Sequence, residues 1–502
     1  MTSYTECANS PLYAVIDLGS NSFHMLITRQ LADSVQVVDK VKRKVRLASG
    51  LDEHNRLSEQ AIARGLECLS FFAERLQDIP HENIRIVATA TVRLATNRDD
   101  FLAKANKVLG HSINVLSGED EARNIYLGVA HTNCSHKDRL VLDIGGASTE
   151  MIVGSDYHIH IVNSLNIGCV TFNNRFFSKG EINQRVFEQA VAAAKHEIMP
   201  LVTTYQSFGW KSVLGGSGTM QALAELLMYQ GKPLVISADF LDEACQQVLT
   251  FDHFDNIAIA GLGSERIPVL LSGLAILKAL FECFAIDQLQ LSSGALREGL
   301  LYEMLPDSHE LAIRSRTING LIRKFHIDTL HAERVLEQVT SIYQQAKKPW
   351  AIELRDFELL KAATQLCEVG LLLEFKHHQK HGAYILQNAD LPGFDQADRQ
   401  LLIALVSLYK GDIAPKLLTQ QGATTQESAE RLLLILRLAV ILCRRRKDDV
   451  LPSYSVTVKG NHTTITLPET WLQAHPLITD ELHQESRFLE AIGQTLTISS
   501  AA

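Results

Sequence analysis

Asp143-Ile-Gly-Gly-Ala-Ser-Thr-Glu150 gathers carboxylates, glycines and hydroxyls into one short stretch. Gly145 and Gly146 let the backbone turn tightly and present bare N–H groups to an anion. Ser148 and Thr149 add hydroxyl donors. Asp143 and Glu150 are hard oxygen ligands of the kind that hold magnesium beside phosphate. Apolar runs at 140–142 and 151–153 flank the stretch, which therefore reads as strand, glycine turn, strand. A P-loop would instead lead from a strand into a helix.

The same pattern occurs near the N-terminus. Asp17-Leu-Gly-Ser-Asn-Ser-Phe-His-Met-Leu26 aligns without gaps onto residues 143–152, matching Asp17 to Asp143, Gly19 to Gly145, Ser22 to Ser148 and Met25 to Met151. Two copies of one phosphate-loop pattern predict two similar lobes facing each other across a cleft. A third loop, Gly215-Gly-Ser-Gly-Thr219, follows the apolar pair Val213-Leu214 and precedes a helical segment at 220–228. It sets backbone donors at a helix N-terminus, where anions are favoured. A polar hairpin tip explains any one of these loops, but three in the first half of one chain point to phosphate.

Further candidates stand between the loops. Residues 84–88 read as a strand, and Arg93 follows its C-terminal end, where open α/β sheets place their ligands. Arg93 would meet an anion there; the plainer alternative is a surface ion pair. Residues 113–116 form the next strand, and Ser117-Gly-Glu-Asp-Glu121 opens a helix through about residue 129. Glu119 and Asp120 serve the helix dipole. Glu121 lies on the path to the Asp143 loop and, held over a phosphoryl group, would orient and deprotonate water. Spacing leaves open whether its side chain enters the cleft.

The elements that must position these residues follow from the pattern. Runs at 35–38 and 41–47 read as two strands, with Lys42, Lys44 and Arg46 on one face, either solvated or forming a positive wall beside a polyanion. A helix from Ser58 to about 77 completes the first lobe. The second lobe holds the Asp143 hairpin, a strand at 159–162, a helix at 182–205, a buried helix at 268–284 interrupted by Gly273, and a strand at 289–291 leading into another helix. Pro306-Asp307 marks a boundary. Beyond it the chain turns helical, at 308–325, 329–346, 355–373, 395–409 and 427–446. His377, His378 and His381 read as exposed loop histidines rather than metal ligands. A hairpin at 456–467 turns at Lys459-Gly-Asn461. The expected division is 11–125, 126–307, 308–446 and 447–502.

Composition narrows the class. A chain of 502 residues exceeds one compact core. Its net charge of −9 argues against a general nucleic-acid binder. Eight cysteines, among them Cys7 and Cys134, form no C-x-x-C pair, so neither a disulfide framework nor a zinc knuckle is expected. The first ten residues hold no apolar signal core, and the 432–443 helix, taken as the most apolar, is interrupted by Arg437. No membrane span and a cytoplasmic location are expected.

The loops together resemble those of the actin and sugar kinase superfamily of two-lobed, ribonuclease H-like folds. Asp17-Leu-Gly-Ser-Asn-Ser22, Ser117-Gly-x-x-Glu-Ala122, the Asp143–Glu150 stretch, Gly216-Ser-Gly-Thr219 and Ser293-Gly-Ala-Leu-Arg-Glu-Gly299 are more specifically similar to the exopolyphosphatase/guanosine pentaphosphate phosphohydrolase family. The likeness extends through Arg314-Ser-Arg-Thr317 and Tyr384-Ile-Leu-Gln-Asn388. Ala147, the 88–95 run and Lys42-Arg-Lys-Val-Arg46 look closer to the guanosine pentaphosphate branch.

This resemblance implies an α/β fold of two actin-like lobes, a mostly helical HD-like module and a small terminal subdomain. It implies magnesium-dependent hydrolysis of pppGpp to ppGpp and phosphate in the stringent response, by a homodimer, with long-chain polyphosphate as the alternative substrate. Glu121 matches the general base, and Asp143 and Glu150 match the magnesium ligands. Asn21, Ser22, Arg93, Gly145, Gly146, Ser148, Gly216, Ser217, Gly218 and Thr219 match the groups that hold phosphate. Arg266, after Ser264-Glu265, is a candidate for the nucleotide end. Where HD-type hydrolases carry a metal-binding His-Asp pair this chain has Cys367-Glu368, so no second metal site is expected there.

Overall fold

The computed structural model describes residues 10–31, 34–133, 138–263, 266–305, 313–448 and 450–501. Cys7, Cys134, Ser264-Glu265 and the Pro306-Asp307 boundary lie outside them. Apart from residues 32–34, the chain up to Ile313 forms one compact unit and the chain from Arg314 a second.

The first unit is built on two sheets. One contains β1 (Leu12–Leu18), β2 (Ser22–Leu31), β3 (Ser34–Lys44), β4 (Ile84–Ala88) and β5 (Asn114–Val115), in the order β3-β2-β1-β4-β5. The other contains β6 (Asp138–Ile144), β7 (Thr149–Ser155), β8 (His158–Leu165), β9 (Ser212–Gly215), β10 (Val235–Ser237) and β11 (Gln288–Leu291), in the order β10-β11-β9-β6-β7-β8. Without the edge strand β10, the second order repeats the first. The first two strands of each sheet pair antiparallel, and the first strand of each pairs parallel with the fourth. This is the two-lobed, actin-like α/β architecture expected.

Why β1 and β6 are central follows from their side chains. Ala14, Ile16 and Leu18 fill one core, while Tyr13 and Val15 on the opposite face fill another. In the second sheet, Leu140, Leu142 and Ile144 face a core of their own, whereas Val141 joins Tyr13 and Val15. That shared core also takes Ala122, Ile125 and Val129 from helix Gly118–Thr132, and Leu296 and Leu300 from helix Leu296–Met304. The two helices meet backbone to backbone. A Cβ on Gly299 would overlap the carbonyl oxygen of Asn124, and one on Gly128 would overlap that of Ala295.

Several expectations need correction. β3 is one continuous strand rather than two, and it ends at Lys44. Arg46 then takes a left-handed backbone, φ 51°, so it does not continue the face of Lys42 and Lys44. Gly273 does not interrupt its helix, which runs unbroken from Ile267 to Phe284. The missing Cβ there makes room for the Thr219 side chain. This helix, rather than the 432–443 segment, is the most apolar among the described residues. Among the described residues it alone is long and apolar enough to cross a membrane, and 67% of it is buried inside the fold.

The second unit is a helical core carrying a small sheet. His378 is not an exposed loop residue, as expected of the histidine cluster, but opens helix His378–Asn388 and is buried. Its Nδ1 lies 2.7 Å from the Phe375 carbonyl and its Nε2 contacts the Tyr409 hydroxyl. Sequence pattern missed this helix start because its N-cap is His377 in a left-handed conformation, φ 59°, not a Ser, Thr or Asp. The segment expected as one helix at 355–373 stops at Leu366 and resumes as a 3₁₀ turn, Val369–Leu372. Arg437 does not interrupt helix Gln426–Leu442; it is buried there, paired with Glu485. β12 (Ser455–Lys459) and β13 (His462–Pro468) form the terminal hairpin, which β14 (Thr495–Ala501) extends in parallel.

Candidate active site

The β1–β2 and β6–β7 turns come together at one end of the two sheets. A Cβ on Gly146 would lie 2.6 Å from the Ser20 Cβ, so the absence of a side chain lets the turns touch. Beside them, Ser217 caps helix Gly218–Tyr229 by accepting from the Met220 N–H at 3.3 Å. The three loops enclose a cavity of about 230 Å³. Of the expected residues, Asn21, Ser22, Glu121, Asp143, Gly145, Gly146, Ser148, Glu150, Gly216, Ser217, Gly218, Thr219 and Arg266 all line it.

Arg93 does not. It stands behind Glu121, with Nη1 donating to Glu121 Oε2 at 3.0 Å and to the Leu116 carbonyl at 2.8 Å. It is therefore placed to orient the carboxylate before it could reach a phosphate.

The floor of the cavity is acidic. Glu121, in the first turn of its helix behind the Ser117 cap, is 7% exposed. Burial pushes its pKa up to about 7, against the pull of Arg93. Asp143 and Glu150 are cross-strand partners, so their side chains leave the same face of the sheet. Asp143 is raised to about 7, by burial and then by Asp17. Glu150 is raised well above the usual range, by burial and then by Glu121, although the Ser164 hydroxyl donates to its Oε1 at 2.8 Å. Carboxylates that resist ionising together want a cation between them.

Three cavity residues were missed as site residues by sequence reasoning. Asp17 holds in β1 the place that Asp143 holds in β6; burial raises it to about 6, and its Oδ1 is sealed from solvent without a hydrogen-bond partner among the described residues. The internal repeat was the signal for Asp17. His24 is the cross-strand partner of Asp17, as Glu150 is of Asp143. Arg297 donates to His24 Nδ1 and draws the pKa values of both Asp17 and Asp143 down. Its place within the 293–299 motif was the only hint.

The donor set fits a hard divalent cation. Among the described residues, no three His, Cys, Asp or Glu side chains form a ready-made metal cage. Magnesium requires none, because it commonly takes one or two carboxylates and completes its shell with water and substrate phosphate. The orphaned Asp17 oxygen and the mutual repulsion of Asp143, Glu150 and Glu121 are what such an ion would relieve.

The family model described as Ppx/GppA phosphatase family matches residues 26–308, and that described as Ppx/GppA phosphatase, domain III, matches residues 313–486. The chain belongs to the Ppx/GppA phosphatase family. Ppx/GppA relatives named guanosine-5'-triphosphate,3'-diphosphate pyrophosphatase include that of Pseudoalteromonas translucida, 45% identical over 97% of this chain and 98% of its own. That of Vibrio vulnificus is also 45% identical, over 99% of this chain and 100% of its own. Among solved Ppx/GppA structures, the Aquifex aeolicus family member is 25% identical with a TM-score of 0.51, covering 60% of this chain and 99% of that one. An exopolyphosphatase from Cytophaga hutchinsonii shares the fold at 23% identity and a TM-score of 0.54, covering 60% of this chain and 99% of that one.

In the segment matching Ppx/GppA domain III, Cys367 is buried and Glu368 is held by the Arg446 guanidinium, with His331 Nε2 at 3.7 Å. An arginine thus supplies the positive charge at this carboxylate.

Proposed function

We propose that this chain hydrolyses pppGpp to ppGpp and phosphate, as a magnesium-dependent cytoplasmic homodimer. One observation carries the chemistry: a buried glutamate, Glu121, lines the same cavity as the cross-strand carboxylates Asp143 and Glu150 and the glycine turns. The guanosine substrate is supported by the names of full-length relatives at 45% identity.

Asp143 and Glu150 would hold the magnesium, whose chemistry when bound is to neutralise charge on phosphate oxygens. The Gly145–Gly146 backbone, Ser22 and Ser148 hold the terminal phosphate, and the Gly216–Thr219 loop holds its neighbour at a helix N-terminus. Glu121 accepts the proton of the attacking water; a base poised near neutral pH does this most effectively. Arg93 fixes the carboxylate that does so. Arg266, which donates to Gln221 at 3.0 Å on the cavity wall, faces the nucleotide end.

The test is phosphate release by purified protein, in magnesium, from pppGpp and from long-chain polyphosphate side by side. Faster turnover of pppGpp is expected. Release from polyphosphate alone would overturn the nucleotide assignment and make the chain an exopolyphosphatase.

A further inference from the structure

The two glycine hairpins are matched in backbone but not in charge. On the β6–β7 hairpin, Asp143 faces a second carboxylate, Glu150, across the pair. On the β1–β2 hairpin, Asp17 faces His24. The His24 pKa is lowered to about 3, by burial and then by Arg297, so the ring carries no charge near neutral pH and its Nδ1 can accept from the Arg297 guanidinium. Arg297 lines the same cavity as Asp17, His24 and Asp143, and its charge draws the pKa of Asp17 down. The mount is firm: Arg297 sits in the first turn of helix Leu296–Met304, where Glu298 caps the Ala295 N–H at 2.9 Å. Behind it, the Gly128 and Gly299 contacts lock that helix to the one carrying Glu121.

A cleft with carboxylates on both hairpins invites two divalent ions, the arrangement that clamps the attacking and leaving oxygens in many phosphoryl-transfer sites. We propose that Arg297 takes the place of the second ion: it is a resident cation, positioned by His24 and balancing Asp17, that leaves the site with one divalent ion on the Asp143–Glu150 side. A guanidinium suits that post because it stays charged at any working pH and offers several donors in a fixed plane. The inference rests on the magnesium-dependent hydrolase reading, but its test does not use turnover.

Manganese binding to the whole chain is counted by electron paramagnetic resonance of the free ion, in wild type, Arg297→Gln and Arg297→Lys. Wild type is expected to bind no more than one ion. Arg297→Gln should bind one more than wild type, or hold its single ion at least about tenfold more tightly, a change of about 1.4 kcal/mol. Arg297→Lys keeps the charge and should match wild type. The double variant Asp17→Asn/Arg297→Gln removes both charges and should return to the wild-type count. Two ions in wild type would overturn the proposal. So would an Arg297→Gln variant that gains neither an ion nor a tenfold in affinity. If Arg297→Gln does not fold, Arg297→Lys and the double variant carry the test, and an extra ion in either overturns it. Hydrolysis of pppGpp is assayed separately, so a failed count and a failed functional assignment are told apart.

Discussion

Replacing Glu121 by glutamine keeps the shape of the side chain and removes its basicity. A general base typically contributes about 10²–10⁴-fold to such a step, so kcat should fall by that factor, about 3–5 kcal/mol in barrier height. The effect on folding has the opposite sign. Glu121 is raised from 4.5 to about 7, and at about 1.4 kcal/mol per unit its ionised form costs the fold up to about 3 kcal/mol at alkaline pH. Leaving Arg93 opposite an amide gives back about 1–3 kcal/mol. Glu121→Gln should therefore melt at or above the wild-type temperature at about pH 8. A glutamate that merely served its helix dipole would behave differently: its loss would cost about 0.3–1 kcal/mol and leave kcat alone. Single-turnover hydrolysis of pppGpp paired with a thermal melt separates the two. A variant that melts lower and keeps kcat within tenfold of wild type refutes the base assignment.

Asp143→Ala should abolish turnover while leaving a folded protein, as judged by circular dichroism; full activity in magnesium would remove Asp143 from the metal site. In the metal-free protein, stability should depend on pH through Glu121 and Asp143. Both have folded pKa values, about 7, above their unfolded ones, so their contribution is complete below about pH 4 and is lost as pH rises through 7. Between about pH 6 and about pH 8 each costs about 1.4 kcal/mol, so urea denaturation should show a loss of roughly 2–3 kcal/mol that added magnesium reverses. Gly299→Ala drives a methyl into the Asn124 carbonyl and should destabilise by about 1–3 kcal/mol, read as a lower urea midpoint, with kcat falling as well.

The hairpins and their repeat were legible because a strand–turn–strand phosphate loop is local: its glycines, hydroxyls and flanking apolar runs lie within about ten residues. Both lobes followed from it, and so did Asp143 and Glu150, whose cross-strand pairing is fixed by the turn between them. What stayed hidden depends on contacts distant in sequence. Arg93 looked like a phosphate ligand at a strand end, yet Glu121 takes it up from another element. Asp17 matched Asp143 letter for letter, but only the fold shows its Oδ1 sealed from solvent with no hydrogen-bond partner among the described residues. His24 and Arg297 are separated by most of the first unit, so nothing local could join them. In the helical unit, His378 looked exposed because its helix lacks the usual cap and its partner Tyr409 lies on another segment.

The glycine seam between helices Gly118–Thr132 and Leu296–Met304 has a mechanical consequence. One helix carries Glu121 and the other Arg297, and where they cross only hydrogen atoms separate the backbones. Such a crossing resists sliding, because any larger group at either glycine collides with a carbonyl oxygen. The pair therefore forms one rigid seam within the core that the two sheets share. A methyl at either glycine would have to push the helices apart and so change the spacing of Glu121 and Arg297.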